Sequence, residues 1–233
     1  MASIASTESR LFVALDVPEP ETARQIVARI GHPRPAYKIG LELVMAGGLD
    51  LARQLKAEGH TIFLDMKYLD IPATVEKAVA NAARLGVDYL TIHGTDTKTL
   101  DAAVKGRGTS GLKLLAVTVL TSLDQADLKE QGIGGLSPEA LVLSRATRAK
   151  ARGFDGVIAS GLEAQAVRAA VGSDFLIVTP GIRPPGAAVG DQARVMSPRE
   201  AINAGASHLV VGRPITAAAD PAAAARAILA DMG

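Results

Sequence analysis

The chain has 233 residues, 48% of them hydrophobic, a formal net charge of +1 and no cysteine. It is long enough to bury a full core and suits one α/β unit, a class whose barrels run to about 250 residues. The even charge balance offers no field for nucleic acid or an anionic membrane, and the absence of cysteine excludes disulfides, thiolate catalysis and zinc–thiolate sites.

Residues 1–9 read as a loose N-terminal tail: Met1 to Arg10 is small and polar, without the apolar centre of a signal peptide. No apolar run approaches the roughly 18 residues needed to cross a bilayer. The expectation is a cytoplasmic protein with one domain over 1–233.

Short apolar runs then alternate with helical patterns. Leu11 to Asp16 predicts a first strand and Pro20 to Ile30 its helix; Tyr37 to Gly40 follows, with a helix over Leu41 to Glu58 broken near Gly47-Gly48. Thr61 to Lys67 is the third strand, with Ala73 to Leu85 behind it; Tyr89 to His93 and Thr97 to Lys105 make the fourth pair. Leu112 to Leu120 precedes a main helix at Pro138 to Arg152, and Gly156 to Ser160 one at Glu163 to Val171. Phe175 to Thr179 leads to Pro198 to Ala204, and Leu209 to Gly212 to an Ala-rich helix starting at Asp220-Pro221.

These strands are continuous apolar runs, the mark of parallel strands covered on both faces. Gly59, Gly86, Gly153 and Gly205 each stand between a helix and the next strand, where a left-handed C-cap turns the chain back. Eight such units with right-handed crossovers close most simply into an α/β fold of the single (β/α)8 TIM barrel type. A doubly wound open sheet is the alternative, but no G-x-G-x-x-G follows the first strand and no P-loop motif occurs.

The third strand ends in charge: Phe63-Leu64-Asp65-Met66-Lys67-Tyr68-Leu69-Asp70-Ile71-Pro72. Side chains two apart on a strand share a face, so Asp65 and Lys67 should project together toward the interior. In isolation, D-x-K-x-x-D reads as a structural ion pair at a sheet edge. The neighbouring strand ends change that, because they add Asp16 and Lys38 to the same rim. Alternating acids and bases from three consecutive strands are better explained as a site, since charges leave water only when paired or put to chemical use. His93 reads as a hydrogen-bonded structural residue and stays outside the catalytic set.

After strand seven, residues 181–196 (GIRPPGAAVGDQARVM) form a long Gly- and Pro-rich loop, of the kind that is functional when it occurs in a compact domain. Gly212-Arg213-Pro214-Ile215 joins strand eight to a helix start. Barrels often bind phosphate at these two loops, and the fork of Arg213 matches phosphate oxygens, with Arg183 and Gln192 as further contacts. A small phosphorylated substrate is therefore expected, held at one side of the rim and meeting the Asp/Lys array at the other. No carboxylate cage for a metal is visible, and Lys38 with Lys67 would repel a divalent cation.

The ordered set LFVALDV, YKIGLEL, FLDMKYLDIPATV, VTVLTS, TPGIRP, GDQ and GRP resembles the orotidine 5'-monophosphate decarboxylase family over almost the whole chain, and its bacterial branch closely. The resemblance implies a carboxy-lyase of pyrimidine synthesis that turns orotidine 5'-monophosphate into uridine 5'-monophosphate with no cofactor and no metal. It implies that Lys67 protonates pyrimidine C6, that Asp65 lies beside the substrate carboxylate, and that Lys38 and Asp70 complete the charged chain. Asp16 and Lys38 would hold ribose hydroxyls, and Thr121, next to Ser122, would face the pyrimidine edge. Arg183, Gln192, Gly212 and Arg213 would take the phosphate. It further implies a homodimer in which Asp70, Ile71 and Thr74 reach the partner's site. The rivals are a magnesium-dependent sugar-phosphate decarboxylase or aldolase on the same barrel, a phosphosugar isomerase or epimerase, and a non-catalytic phosphometabolite-binding barrel. The first carries an acid where this chain has Lys38, and paired lysines suit the second poorly.

Overall fold

The computed structural model of the protein describes residues 7–184 and 196–233. Its strands are β1 (Leu11–Ala14), β2 (Ala36–Gly40), β3 (Ile62–Tyr68), β4 (Tyr89–His93), β5 (Lys113–Val117), β6 (Gly156–Ile158), β7 (Leu176–Thr179) and β8 (His208–Val211). Each pairs in parallel with the next, and β1 pairs with β8 through Leu11↔Leu209, Phe12↔Val210 and Val13↔Val211. That pairing closes the barrel and rules out the open doubly wound sheet.

The helices are α1 (Pro20–Ile30), α2 (Leu41–Met45), α3 (Gly48–Ala57), α4 (Pro72–Leu85), α5 (Thr97–Arg107), α6 (Gln125–Glu130), α7 (Pro138–Ala151), α8 (Gly161–Val171), α9 (Pro198–Asn203), α10 (Arg213–Thr216) and α11 (Pro221–Met232). The sequence dictates α1 closely. Pro20 is preorganised for the first turn, Ala23, Ile26, Val27 and Ile30 make one buried stripe, and Gly31 ends it at a φ of 54°. The four expected glycine turns all lie at positive φ: Gly59 at 83°, Gly86 and Gly153 at 81° and Gly205 at 105°.

Two elements lacked a periodic signal. Helix α6 buries only Leu128 and is held by its ends: the Asp124 side chain accepts from the Ala126 and Asp127 amides, and Asp127 returns the contact to Asp124. Thr7–Arg10 forms a 3-10 turn that overlaps the end of the expected tail 1–9, and just beyond that tail the Arg10 guanidinium donates to the Ser207 carbonyl at 3.0 Å. Among the described residues, no helix is long and apolar enough to cross a membrane.

The core has two compartments. Outward strand residues such as Val13, Tyr37 and Ile39 pack under the helices. Inward residues, among them Phe12, Phe63, Tyr89, Leu115, Val178 and Val210, fill the barrel itself. Phe12 lies 5.0 Å from both Phe63 and Tyr89, and His208 stacks on Phe12 at 5.2 Å.

His208 is buried, and its Nδ1 has no hydrogen-bond partner among the described residues. Burial pushes the imidazole down to about 4, with Lys113 and Arg10 acting in the same sense. The unfolded chain takes up this proton at ordinary histidine pH while the folded chain refuses it, so acid favours unfolding. Between pH 6.5 and pH 4 the native state should lose about 3 kcal/mol from this group. Urea midpoints measured across that range should fall in the wild type and fall less in His208→Gln; equal slopes would contradict the assignment.

Candidate active site

The inward face of the strands carries the aromatic filling and, one pleat higher, the charges. On β3 Phe63 is followed by Asp65; on β2 Ala36 is followed by Lys38 and Gly40; on β4 Tyr89 is followed by Thr91. Above this floor opens a cavity of about 450 Å³. Its walls include Asp16, Lys38, Asp65 and Lys67 on one side and Pro180, Gly181, Arg183, Gly212 and Arg213 on the other, with Thr121 between the two groups in the chain.

The charges form one connected array. Lys38 Nζ donates to Asp16 Oδ1 at 2.8 Å and stands 3.4 Å from Asp65 Oδ2. Lys67 Nζ donates to Asp65 Oδ1 at 2.9 Å. Lys38 is 7% exposed and Asp65 9%, so neither relies on water for its countercharge. Burial alone would discharge Lys38, but the carboxylates of Asp65 and Asp16 outweigh it and hold the ammonium above its usual range. Burial likewise opposes ionisation of Asp65, and Lys38, Lys67 and the Thr91 hydroxyl overcome it, so its carboxyl lies below the usual range. Both groups are charged at neutral pH.

Asp65 and Lys67 meet as expected, but for a different reason. The register of β3 against β4 jumps from Leu64↔Leu90 to Tyr68↔Ile92, so Asp65, Met66 and Lys67 stand opposite Thr91 alone. Lys67 has a φ of 49°, unique among the described non-glycine residues. A bulge with a left-handed residue, and not simple alternation, aims the two side chains at each other. A non-glycine residue held there costs of order 1–3 kcal/mol, the kind of strain that collects at functional sites.

Asp70, Ile71 and Thr74 do not line this cavity. Asp70 is exposed on the β3–α4 loop, where its Oδ1 accepts from the Ile71 amide at 2.6 Å. Ile71 is 67% exposed beside Leu69 at 55%. Arg183 donates to the Ile182 carbonyl at 2.9 Å, and its amide donates to the Met196 carbonyl at 2.9 Å. Gln192 lies outside the described residues. His93 ends β4 away from the cavity wall, its imidazole pushed down by burial, then by Lys67 and Arg145, against Asp65.

Two contributors were not visible in the sequence. A Cβ on Gly40 would come within 3.1 Å of both Asp16 Oδ1 and Lys38 Nζ, so this position leaves room for the ion pair. Thr91, wholly buried, bonds both Asp65 and the Lys67 backbone. Among the described residues, no three His, Asp or Glu side chains converge as metal ligands.

The family model for the orotidine 5'-phosphate decarboxylase / HUMPS family matches residues 9–228. The chain belongs to that family. An orotidine 5'-phosphate decarboxylase of Methylobacterium radiotolerans is 53% identical over the whole of both chains, and one of Methylorubrum populi is 53% identical over all of this chain and 99% of its own. The crystal structure of orotidine 5'-phosphate decarboxylase from Lactobacillus acidophilus superposes with a TM-score of 0.86 at 39% identity, covering 97% of this chain and 99% of that one. The orotidine 5'-phosphate decarboxylase / HUMPS match therefore spans the charged array and the loops after β7 and β8 alike.

Proposed function

We propose that the protein is a carboxy-lyase that converts orotidine 5'-monophosphate to uridine 5'-monophosphate and carbon dioxide without metal or organic cofactor. The observation that carries this reading is the connected Lys38–Asp65–Lys67 array, with Lys38 and Asp65 buried, facing two arginines across one cavity.

Loss of carbon dioxide leaves an electron pair on C6 that the ring cannot delocalise as an enolate. With no electron sink recruited, fixed charge has to stabilise that carbon. The ammonium of Lys67 gains most where the negative charge is concentrated, in the transition state, and its proton then moves from Nζ to C6. Asp65, beside the substrate carboxylate, opposes the ground state; two unit charges about 4 Å apart interact by roughly 4 kcal/mol at an effective dielectric near 20. Asp16 and Lys38 hold the ribose hydroxyls, and Thr121 faces the pyrimidine edge. Arg183, Gln192, Gly212 and Arg213 take the phosphate, so that binding energy remote from C6 keeps the reacting end in register.

A magnesium-dependent relative would place its cation where two ammonium groups stand 2.8–3.4 Å from the available carboxylates, an arrangement that repels it. In the dimer we infer, Asp70, Ile71 and Thr74 reach the partner's cavity. Support comes from their position outside their own cavity and from the exposure of Ile71 together with its neighbour Leu69 on the β3–α4 loop.

The test is an absorbance assay on orotidine 5'-monophosphate with and without EDTA. Turnover of equal rate in both is expected. No turnover would sink the decarboxylase reading, and turnover abolished by EDTA would sink the metal-free one.

A further inference from the structure

The Thr91 side chain is wholly buried on the inner face of β4, opposite the bulge of β3. Its Oγ1 accepts from the Lys67 amide at 2.9 Å and donates to Asp65 Oδ1 at 2.8 Å. A hydroxyl has a single proton, so donation to Asp65 leaves its lone pairs for the amide. Lys67 closes the loop, because its own Nζ donates to that same Asp65 Oδ1 at 2.9 Å. The path Lys67 N–H, Thr91 O–H, Asp65 carboxylate, Lys67 Nζ is a ring that grips one lysine at both its backbone and its side-chain end.

Nothing else described here accounts for the Lys67 conformation. A left-handed residue outside glycine persists only where its surroundings over-determine it. The Lys67 amide faces the interior in a bulge, where the strand ladder offers it no carbonyl, and an unpaired buried amide is costly. The Thr91 hydroxyl supplies that acceptor. Valine is close to threonine in shape but supplies neither bond.

We propose that Thr91 is a positioning residue for the decarboxylation: its hydroxyl locks the β3 bulge, and through it the distance and direction of Lys67 Nζ from Asp65 and from the reacting carbon. This deepens the decarboxylase reading and rests on it. Thr91 is not among the residues that line the cavity, so it acts through Lys67 and Asp65.

A merely structural threonine would lower stability when replaced and leave the chemistry of the survivors intact. A positioning threonine changes kcat and leaves nucleotide binding alone, since the proposed phosphate contacts lie across the cavity, after β7 and β8. A misplacement of about 1 Å at a reacting group costs about 10²-fold in rate. Thr91→Val should therefore lower kcat about 10²-fold while the dissociation constant for uridine 5'-monophosphate stays within about twofold. Thr91→Ser, which keeps the hydroxyl, should restore most of the rate.

A second readout is the acid limb of the rate. Asp65 is faced by Lys38 from β2, Lys67 from its own strand and Thr91 from β4, with His93 further along β4 and Asp16, on the loop after β1, behind Lys38. Removing the hydroxyl removes one of the groups that favour the Asp65 anion, so its carboxyl should titrate at higher pH in Thr91→Val.

The experiment measures kcat, uridine 5'-monophosphate affinity and the carbon-13 titration of Asp65 in wild type, Thr91→Val, Thr91→Ser and Thr91→Cys, each checked for folding by circular dichroism. The cysteine variant keeps a comparable volume with much weaker hydrogen bonding, and stands in if the valine variant does not fold. Wild-type rates in folded Thr91→Val or Thr91→Cys, or equal losses in Thr91→Ser, overturn the proposal. An inactive wild type overturns the decarboxylase reading instead; the Asp65 titration still decides the ring, and an unmoved titration in the valine or cysteine variant refutes it.

Discussion

Lys67→Ala should reduce turnover of orotidine 5'-monophosphate by at least about 10⁴-fold, the upper range for losing a positioned proton donor, with the charge at C6 lost as well. The fold should survive. The Lys67 side chain is 30% exposed and packs no core, and Asp65 keeps Lys38 at 3.4 Å and the Thr91 hydroxyl at 2.8 Å. The measurement is single-turnover decarboxylation paired with a thermal melt. Turnover near the wild-type rate in a folded variant would remove Lys67 from its assigned role; lost activity together with a collapsed melt would mean that the bulge, and not the ammonium, had been tested.

Arg213→Ala should act at the other end of the cavity. A hydrogen bond to a charged group contributes about 1.5–3 kcal/mol, and the guanidinium makes two such bonds to one phosphate when it binds as a fork. Catalytic efficiency toward the nucleotide should fall about 10²- to 10⁴-fold. Efficiency toward orotidine, which lacks the phosphate, should barely change. The comparison of the two substrates is the decisive measurement, because equal losses would show that Arg213 supports the loop after β8 and not the phosphate. The Lys67 and Arg213 variants also differ in kind: the first should lower the rate at saturating nucleotide, the second the affinity as well.

The barrel was legible because its signals are local and repeated. Apolar runs about five residues long, separated by helical stripes and by Gly59, Gly86, Gly153 and Gly205, leave little choice of architecture. Predicted strands overran at the mouth: β1 stops at Ala14 rather than Asp16, and β5 at Val117 rather than Leu120. Those residues are apolar enough to look like strand, yet they bend away to build the cavity rim. The acids and bases of the array were legible for the opposite reason, since charge at the end of an apolar run is conspicuous.

Thr91 was not legible. Threonine is an ordinary strand former, and Tyr89-Leu90-Thr91-Ile92-His93 reads as one more apolar run. Its importance lies in the register of β4 against a bulged β3, which no periodicity encodes. Gly40 is similar: it reads as the last residue of a short strand, whereas its missing side chain also leaves space for the Asp16–Lys38 pair. Gln192, expected at the phosphate, lies outside the described residues.

The rings of Phe12, Phe63 and Tyr89 seal the barrel directly beneath the charges. Among the described residues, such a plug closes the site from below. In the proposed reaction, the hydrogen ion that Lys67 surrenders is replenished from the same side by which uridylate departs. On that reaction, product escape and recharging of the amine would share a route.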